Sequence, residues 1–145
     1  MILVLVRHGD AIDKALNPQR PLSEKGQWEI EELCDKMSHI PLKIEKIYHS
    51  GILRSKETAR MIQERLFKKA QLLENEHLRP EDPVLYWLNN SKELEQPSML
   101  VGHMPYISIL AHQLTQTPFL DFPTAGSMAL RRTDHAVWDI VWRSF

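Results

Sequence analysis

The sequence has 145 residues, 43% of them hydrophobic and 26% charged, with a formal net charge of −1. That length suits one domain able to remove about 68–70% of its unfolded surface from water, and the composition is not that of a disordered or fibrous chain. The balanced charge argues against broad nucleic-acid binding, which needs clustered Lys and Arg, and the single cysteine, Cys34, permits no intrachain disulfide and fits a reducing cytoplasm.

Met1 to Val6 is an apolar run too short for a membrane span and without the basic start of a signal peptide, so it reads as structure rather than an address. Within it, Ile2 to Val6 has the unbroken β-branched and leucine-rich pattern of a strand covered on both faces, central in a parallel sheet. After a polar loop, Ser23 is placed to cap a helix in which Ile30, Leu33, Cys34 and Met37 recur at helical spacing, ending before Pro41. Ile44 to His49 predicts a second strand. Leu53 to Leu66 predicts a second helix with Ala59, Ile62 and Leu66 on one face.

Gln71 to Leu78 is a weaker strand or loop segment, and Asp82-Pro83 reads as the cap and first residue of a short helix through Leu88. Met99 to Gly102 predicts another strand, and after Pro105 comes a helix with a stripe of Ile107, Leu110, Ala111 and Leu114. The chain closes on two strands, Ser127 to Arg131 and Val137 to Arg143, the latter with Trp138, Ile140 and Trp142 alternating onto one face. Asp134-His135 falls in the turn between them. Strand and helix alternate with no repeat or Gly/Ser linker, which predicts a three-layer α/β/α sandwich with a mostly parallel central sheet and antiparallel strands from the final pair.

In open α/β sheets, ligands bind beyond the carboxyl ends of the strands. That rule selects Arg7-His8-Gly9, the stretch from Ser50 to Arg54, and Gly102-His103. Two histidines and two arginines thus arrive at one sheet edge from distant positions, His8 and His103 each beside a glycine that allows close backbone approach. A histidine alone is more often a surface or hydrogen-bonded core residue; the joint placement favours a site.

The stretches "LVLVRHGDA", "HSGILRSKETA" and "MLVGHMP", in that order at predicted strand ends, resemble the histidine phosphatase superfamily, marked by an Arg-His-Gly triplet after the first strand. The short length and "RPLSEKG" make the chain most similar to small phosphohistidine phosphatases of the SixA type. The resemblance covers residues 1–145 as one domain and implies the phosphoglycerate mutase-like form of the α/β fold. It implies His8 as the nucleophile, Arg7 and Arg54 as phosphate-binding arginines, and His103 as the second histidine, donating to the phosphate. These types suit the chemistry: imidazole attacks phosphorus, and guanidinium pairs two phosphate oxygens where lysine cannot.

Arg20, before Pro21-Leu22, matches a further phosphate ligand of the SixA-type members, against a solvated loop cation as the alternative. Asn17, nearby in the loop, could also reach the phosphate by its likeness to an asparagine of larger members, and Ser50 shapes the turn before Arg54 and could donate to the site. For a proton donor, Asp10, Glu81 and Asp82 stand open, Asp82 doubling as a helix cap. Phosphohistidine leaves as neutral imidazole once its ring is protonated, so it depends less on an enzyme acid than an alkyl phosphate does. The expected activity is therefore cofactor-free and metal-independent release of inorganic phosphate from a phosphohistidine-bearing protein through phospho-His8, in the cytoplasm, without nucleic-acid or membrane partners. A small-metabolite phosphatase and a non-catalytic phosphate-binding or phosphoprotein-binding module stay open as alternatives. A metal site on His8, Asp10 and His103 is disfavoured by the adjacent guanidiniums.

Overall fold

A computed structural model describes residues 1–90, 94–134 and 137–145. Its elements in chain order are β1 (Ile2–Arg7), α1 (Glu24–Met37), β2 (Lys46–His49), α2 (Leu53–Leu66), β3 (Gln71–Glu74), a 3₁₀ turn (Glu76–Leu78), α3 (Leu85–Asn89), β4 (Ser98–Gly102), α4 (Tyr106–Thr115), β5 (Ser127–Arg132) and β6 (Trp138–Arg143). The strands form one sheet in the order β3-β2-β4-β1-β5-β6. The first four are mutually parallel, and β5 and β6 are antiparallel additions. This is the phosphoglycerate mutase-like α/β fold.

The unbroken apolar run of β1 follows from its central place. Leu3 and Leu5 enter the core beneath α4 with Trp87, Tyr106 and Phe122, whereas Val4 and Val6 enter the opposite core with Ile30, Leu33 and Ile62 of α1 and α2. Each fully buried aliphatic side chain of this kind contributes roughly 1.5–3 kcal/mol. Ser23 caps α1, accepting from Gly26 N–H at 3.0 Å. The first turn of α1 lies so close to the loop after β1 that a side chain at Gly26 would collide with the Asp10 carbonyl.

Four sequence expectations need correction. The strand expected from Ile44 begins at Lys46, and the segment Gln71 to Leu78 divides into β3 and the 3₁₀ turn, because the Asn75 side chain accepts from His77 N–H at 2.8 Å and bends the chain. Asp82 does not cap a helix: its Oδ2 accepts from Arg79 N–H at 2.8 Å, closing the preceding turn, and α3 starts only at Leu85. Trp142 does not share a face with Trp138 and Ile140. In the β5–β6 ladder Leu130 pairs with Ile140 but Ala129 pairs with Trp142, so Val141 is an extra, bulged residue. The bulge sends Trp142 to the α1/α2 side while Trp138 and Ile140 stay on the α4 side. Asp134 lies in a turn, and His135 lies outside the described residues.

Candidate active site

Because β4 lies between β1 and β2, three strands deliver their carboxyl ends side by side, with Arg7 level with Gly102 and His49 level with Val101. His8 leaves β1 bonded through its backbone: its N–H donates to Gly102 O at 3.0 Å, and its carbonyl accepts from Ala125 N–H at 3.0 Å. Arg7 N–H donates to Gly126 O at 2.9 Å, and its guanidinium Nη1 donates to Phe122 O at 2.8 Å. The imidazoles of His8 and His103 stand together, ring centroids 5.1 Å apart, and are 7% and 1% exposed.

The tautomer of His8 follows from its partners. Nδ1 lies 2.7 Å from Gly9 O, an acceptor only, so Nδ1 carries the proton. Nε2 is then left with its lone pair, which accepts from Arg54 Nε at 3.3 Å. Burial first, and the charges of Arg54, Arg7 and Arg20 after it, press His8 down to about 4 against the opposing bond to Gly9. His103 falls to about 3, through burial and then His8, Arg54 and Arg7. Both rings are therefore neutral at neutral pH, among cations that favour an anion.

Arg54 sits in the first turn of α2, whose N-cap Ile52 offers no side-chain oxygen, and its guanidinium reaches His8 Nε2. Arg20 is held in the left-handed region (φ 49°), its Nε donating to Ile12 O at 3.1 Å. Its charge reaches both His8 and Arg54, whose guanidinium is pushed below its usual range by burial and then by Arg20. The structure thus gathers Arg7, His8, Arg20, Arg54 and His103. Asn17 instead uses Oδ1 on Gln19 N–H at 3.0 Å.

Two of the three carboxylates have other engagements. Asp10 Oδ2 accepts from Ser23 Oγ at 2.7 Å. Asp82 closes its own turn, and Glu81 is exposed beside it along a shallow hollow shared with Ile52 and Arg79. Among the described residues no three His, Cys, Asp or Glu side chains converge as a metal site requires.

Sequence reasoning missed two residues that support the cluster. Thr58 Oγ1 accepts from Gly9 N–H at 3.1 Å and donates to Arg54 O at 2.8 Å, joining the His8 loop to the Arg54 turn. Glu29 accepts from Asp10 N–H at 2.8 Å and from Thr124 Oγ1 at 2.6 Å, holding the loops on either side of Arg7. Thr58, four residues after Arg54, was signalled only by its place one helical turn on; Glu29 carried no signal.

The model of the histidine phosphatase superfamily, branch 1, matches residues 3–79, just over half the chain. No curated protein matches the sequence significantly. Among solved structures, the protein histidine phosphatase SixA complexed with tungstate is similar at TM-score 0.85 and 21% identity, covering 99% of this chain and 96% of that one. A protein assigned as phosphohistidine phosphatase SixA from Agrobacterium tumefaciens gives TM-score 0.83 and 21% identity over 99% and 97% of the two chains. Its counterpart from Nakamurella multipartitia gives 0.79 and 18% over 99% and 95%. With the family model spanning both the Arg7-His8-Gly9 and Arg54 motifs, the chain belongs to the histidine phosphatase superfamily.

Proposed function

We propose that this protein is a metal-independent phosphatase acting on phosphohistidine carried by a protein. The observation that carries the reading is the locked His8 tautomer, with Nδ1–H spent on Gly9 O and a neutral, nucleophilic Nε2. In the first step, the Nε2 lone pair attacks phosphorus and the P–N bond of the substrate breaks, its electron pair going to the departing imidazole. That ring, already protonated on its other nitrogen, leaves neutral. Water then attacks phospho-His8; the P–Nε2 bond breaks, the lone pair returns to Nε2, and inorganic phosphate departs with the water's oxygen.

Charge builds on the equatorial oxygens of the moving group, and fixed cations stabilise it. Arg7, Arg54 and Arg20 supply them, and His103 supplies a neutral donor. Arg54 Nε, which lies on His8 Nε2 in the free protein, shifts its bond to a phosphoryl oxygen as Nε2 engages phosphorus. The choice of a phosphoramidate is supported by two of the three candidate carboxylates, Asp10 and Asp82, which are committed to Ser23 and Arg79 rather than to a leaving group. The structural likeness to a protein histidine phosphatase supports a protein substrate.

The test is phosphate release from a phosphohistidine-bearing domain in the presence of chelator, for the parent and His8→Ala. Release by the parent alone is expected, with a loss of about 10⁴-fold or more in the variant. Equal or faster turnover of small alkyl phosphates would move the substrate to metabolites, and binding without release would leave a phosphate-binding module.

A further inference from the structure

Ser50 directly follows β2 and is 1% exposed. Its Oγ lies 2.7 Å from His103 Nε2 and accepts from Ile52 N–H at 3.2 Å. A hydroxyl has one proton to give. With Ile52 N–H on one lone pair, the arrangement that uses that proton directs it to Nε2. The reverse, Nε2–H donating to Oγ, would leave the buried hydroxyl proton without an acceptor at a cost of about 1–3 kcal/mol.

The other ring nitrogen makes the same point from the opposite side. His103 Nδ1 is fully buried and has no partner among the described residues, although it stands beside His8. Arg7 Nε in the same cluster is likewise buried and unpaired, and two buried polar atoms left open beside His8 mark where a ligand's oxygens would be received.

We propose that Ser50 is a positioning residue: its hydroxyl donates to His103 Nε2, fixes the ring proton on Nδ1, and so makes Nδ1–H the donor to a phosphoryl oxygen. This rests on the phosphoryl-transfer reading of the site. Without Ser50 the ring is free to rotate or to place its proton on Nε2, and a lone pair on Nδ1 would then repel the oxygen it should bind. Ser50 touches no reacting atom. It acts through His103.

The test is ¹⁵N NMR of the histidine rings in the parent, Ser50→Ala and Ser50→Thr, with and without inorganic phosphate. In the parent, His103 should show a protonated Nδ1 and an unprotonated, hydrogen-bonded Nε2, with phosphate moving the Nδ1–H resonance. In Ser50→Ala that pattern should give way to a tautomer mixture, phosphate should bind about tenfold more weakly, and Ser50→Thr should restore both. A proton on Nε2 in the parent, or an unchanged His103 spectrum in Ser50→Ala, overturns the proposal. Should Ser50→Ala fail to fold, the parent spectrum still decides. Because the tautomer is read without turnover, this result stands apart from whether phosphohistidine proves to be the substrate.

Discussion

The ends of β1 and β4 each present a buried histidine to the same space, but they hold it by different means. His8 is fixed by the carbonyl of the next residue in the chain, Gly9, at 2.7 Å. His103 is fixed by a side chain 53 residues away, the Ser50 hydroxyl, also at 2.7 Å. A lock made by main chain survives substitution of any neighbour that leaves the loop in place, whereas a lock made by a side chain is lost with one oxygen. The ring proposed to attack phosphorus has the lock that is harder to mutate. Both nevertheless reach the same protonation state, one N–H and one lone pair, because burial makes the charged form costly for each.

After the loss expected for His8→Ala, the largest effect separates charge from lock. Arg54→Lys keeps a cation beside His8 but removes the planar fork that would pair two phosphoryl oxygens, and phosphate release should fall about 10²–10³-fold. The ring tautomers of both histidines should stay unchanged, because neither lock uses the guanidinium. A rate within a fewfold of the parent would show that Arg54 supplies charge alone. A changed tautomer at His8 would break the comparison outright.

The next effect tests the state the two histidines share. His8 lies at about 4 and His103 at about 3 in the folded protein, against about 6.5 for an unfolded histidine. Between these values the unfolded chain binds more protons, so acid favours unfolding. Stability is fully present above about pH 6.5, falls as pH drops toward 4, and continues to fall toward 3 on account of His103, by a few kcal/mol per ring. Urea unfolding between pH 7 and 4 should show this loss in the parent and a shallower loss in His8→Ala. Identical slopes would mean that His8 is not held neutral by the fold.

How much of this was legible beforehand depends on where each partner lies. His8, Arg7, Arg54 and His103 could be read because each follows an apolar run or opens an amphipathic helix, which is local information. The two helices of the α1/α2 layer were equally plain from their spacing, α2 to the residue. The supports were not legible. Thr58 serves Gly9 across 49 residues and Glu29 serves Thr124 across 95, and each reads locally as an ordinary polar residue of a helix. Ser50 could be placed in its turn but not against His103. Two errors have a common cause, a local pattern diverted by a neighbour: Asp82 was drawn back to Arg79 instead of forward into a helix, and the regular Trp138, Ile140, Trp142 alternation was broken by the extra residue Val141.

The smallest effect asks whether the His8 lock is truly a property of the main chain. Thr58 accepts the Gly9 N–H and Glu29 accepts the N–H of Asp10, whose peptide supplies the Gly9 carbonyl that holds His8 Nδ1. Thr58→Val preserves the shape of the side chain, but it leaves Gly9 N–H buried without an acceptor and costs about 1–3 kcal/mol. If the peptide is positioned by the strand and by His8's own bonds to Gly102 and Ala125, His8 should keep its proton on Nδ1 and phosphate release should fall only about tenfold or less. The measurements are a denaturation midpoint and a ¹⁵N spectrum of the same sample. Loss of stability with an intact tautomer supports the main-chain lock. A His8 proton that moves to Nε2 would show that the Gly9 peptide turns when Thr58 releases it, making both histidines dependent on a distant hydroxyl and erasing the difference between them.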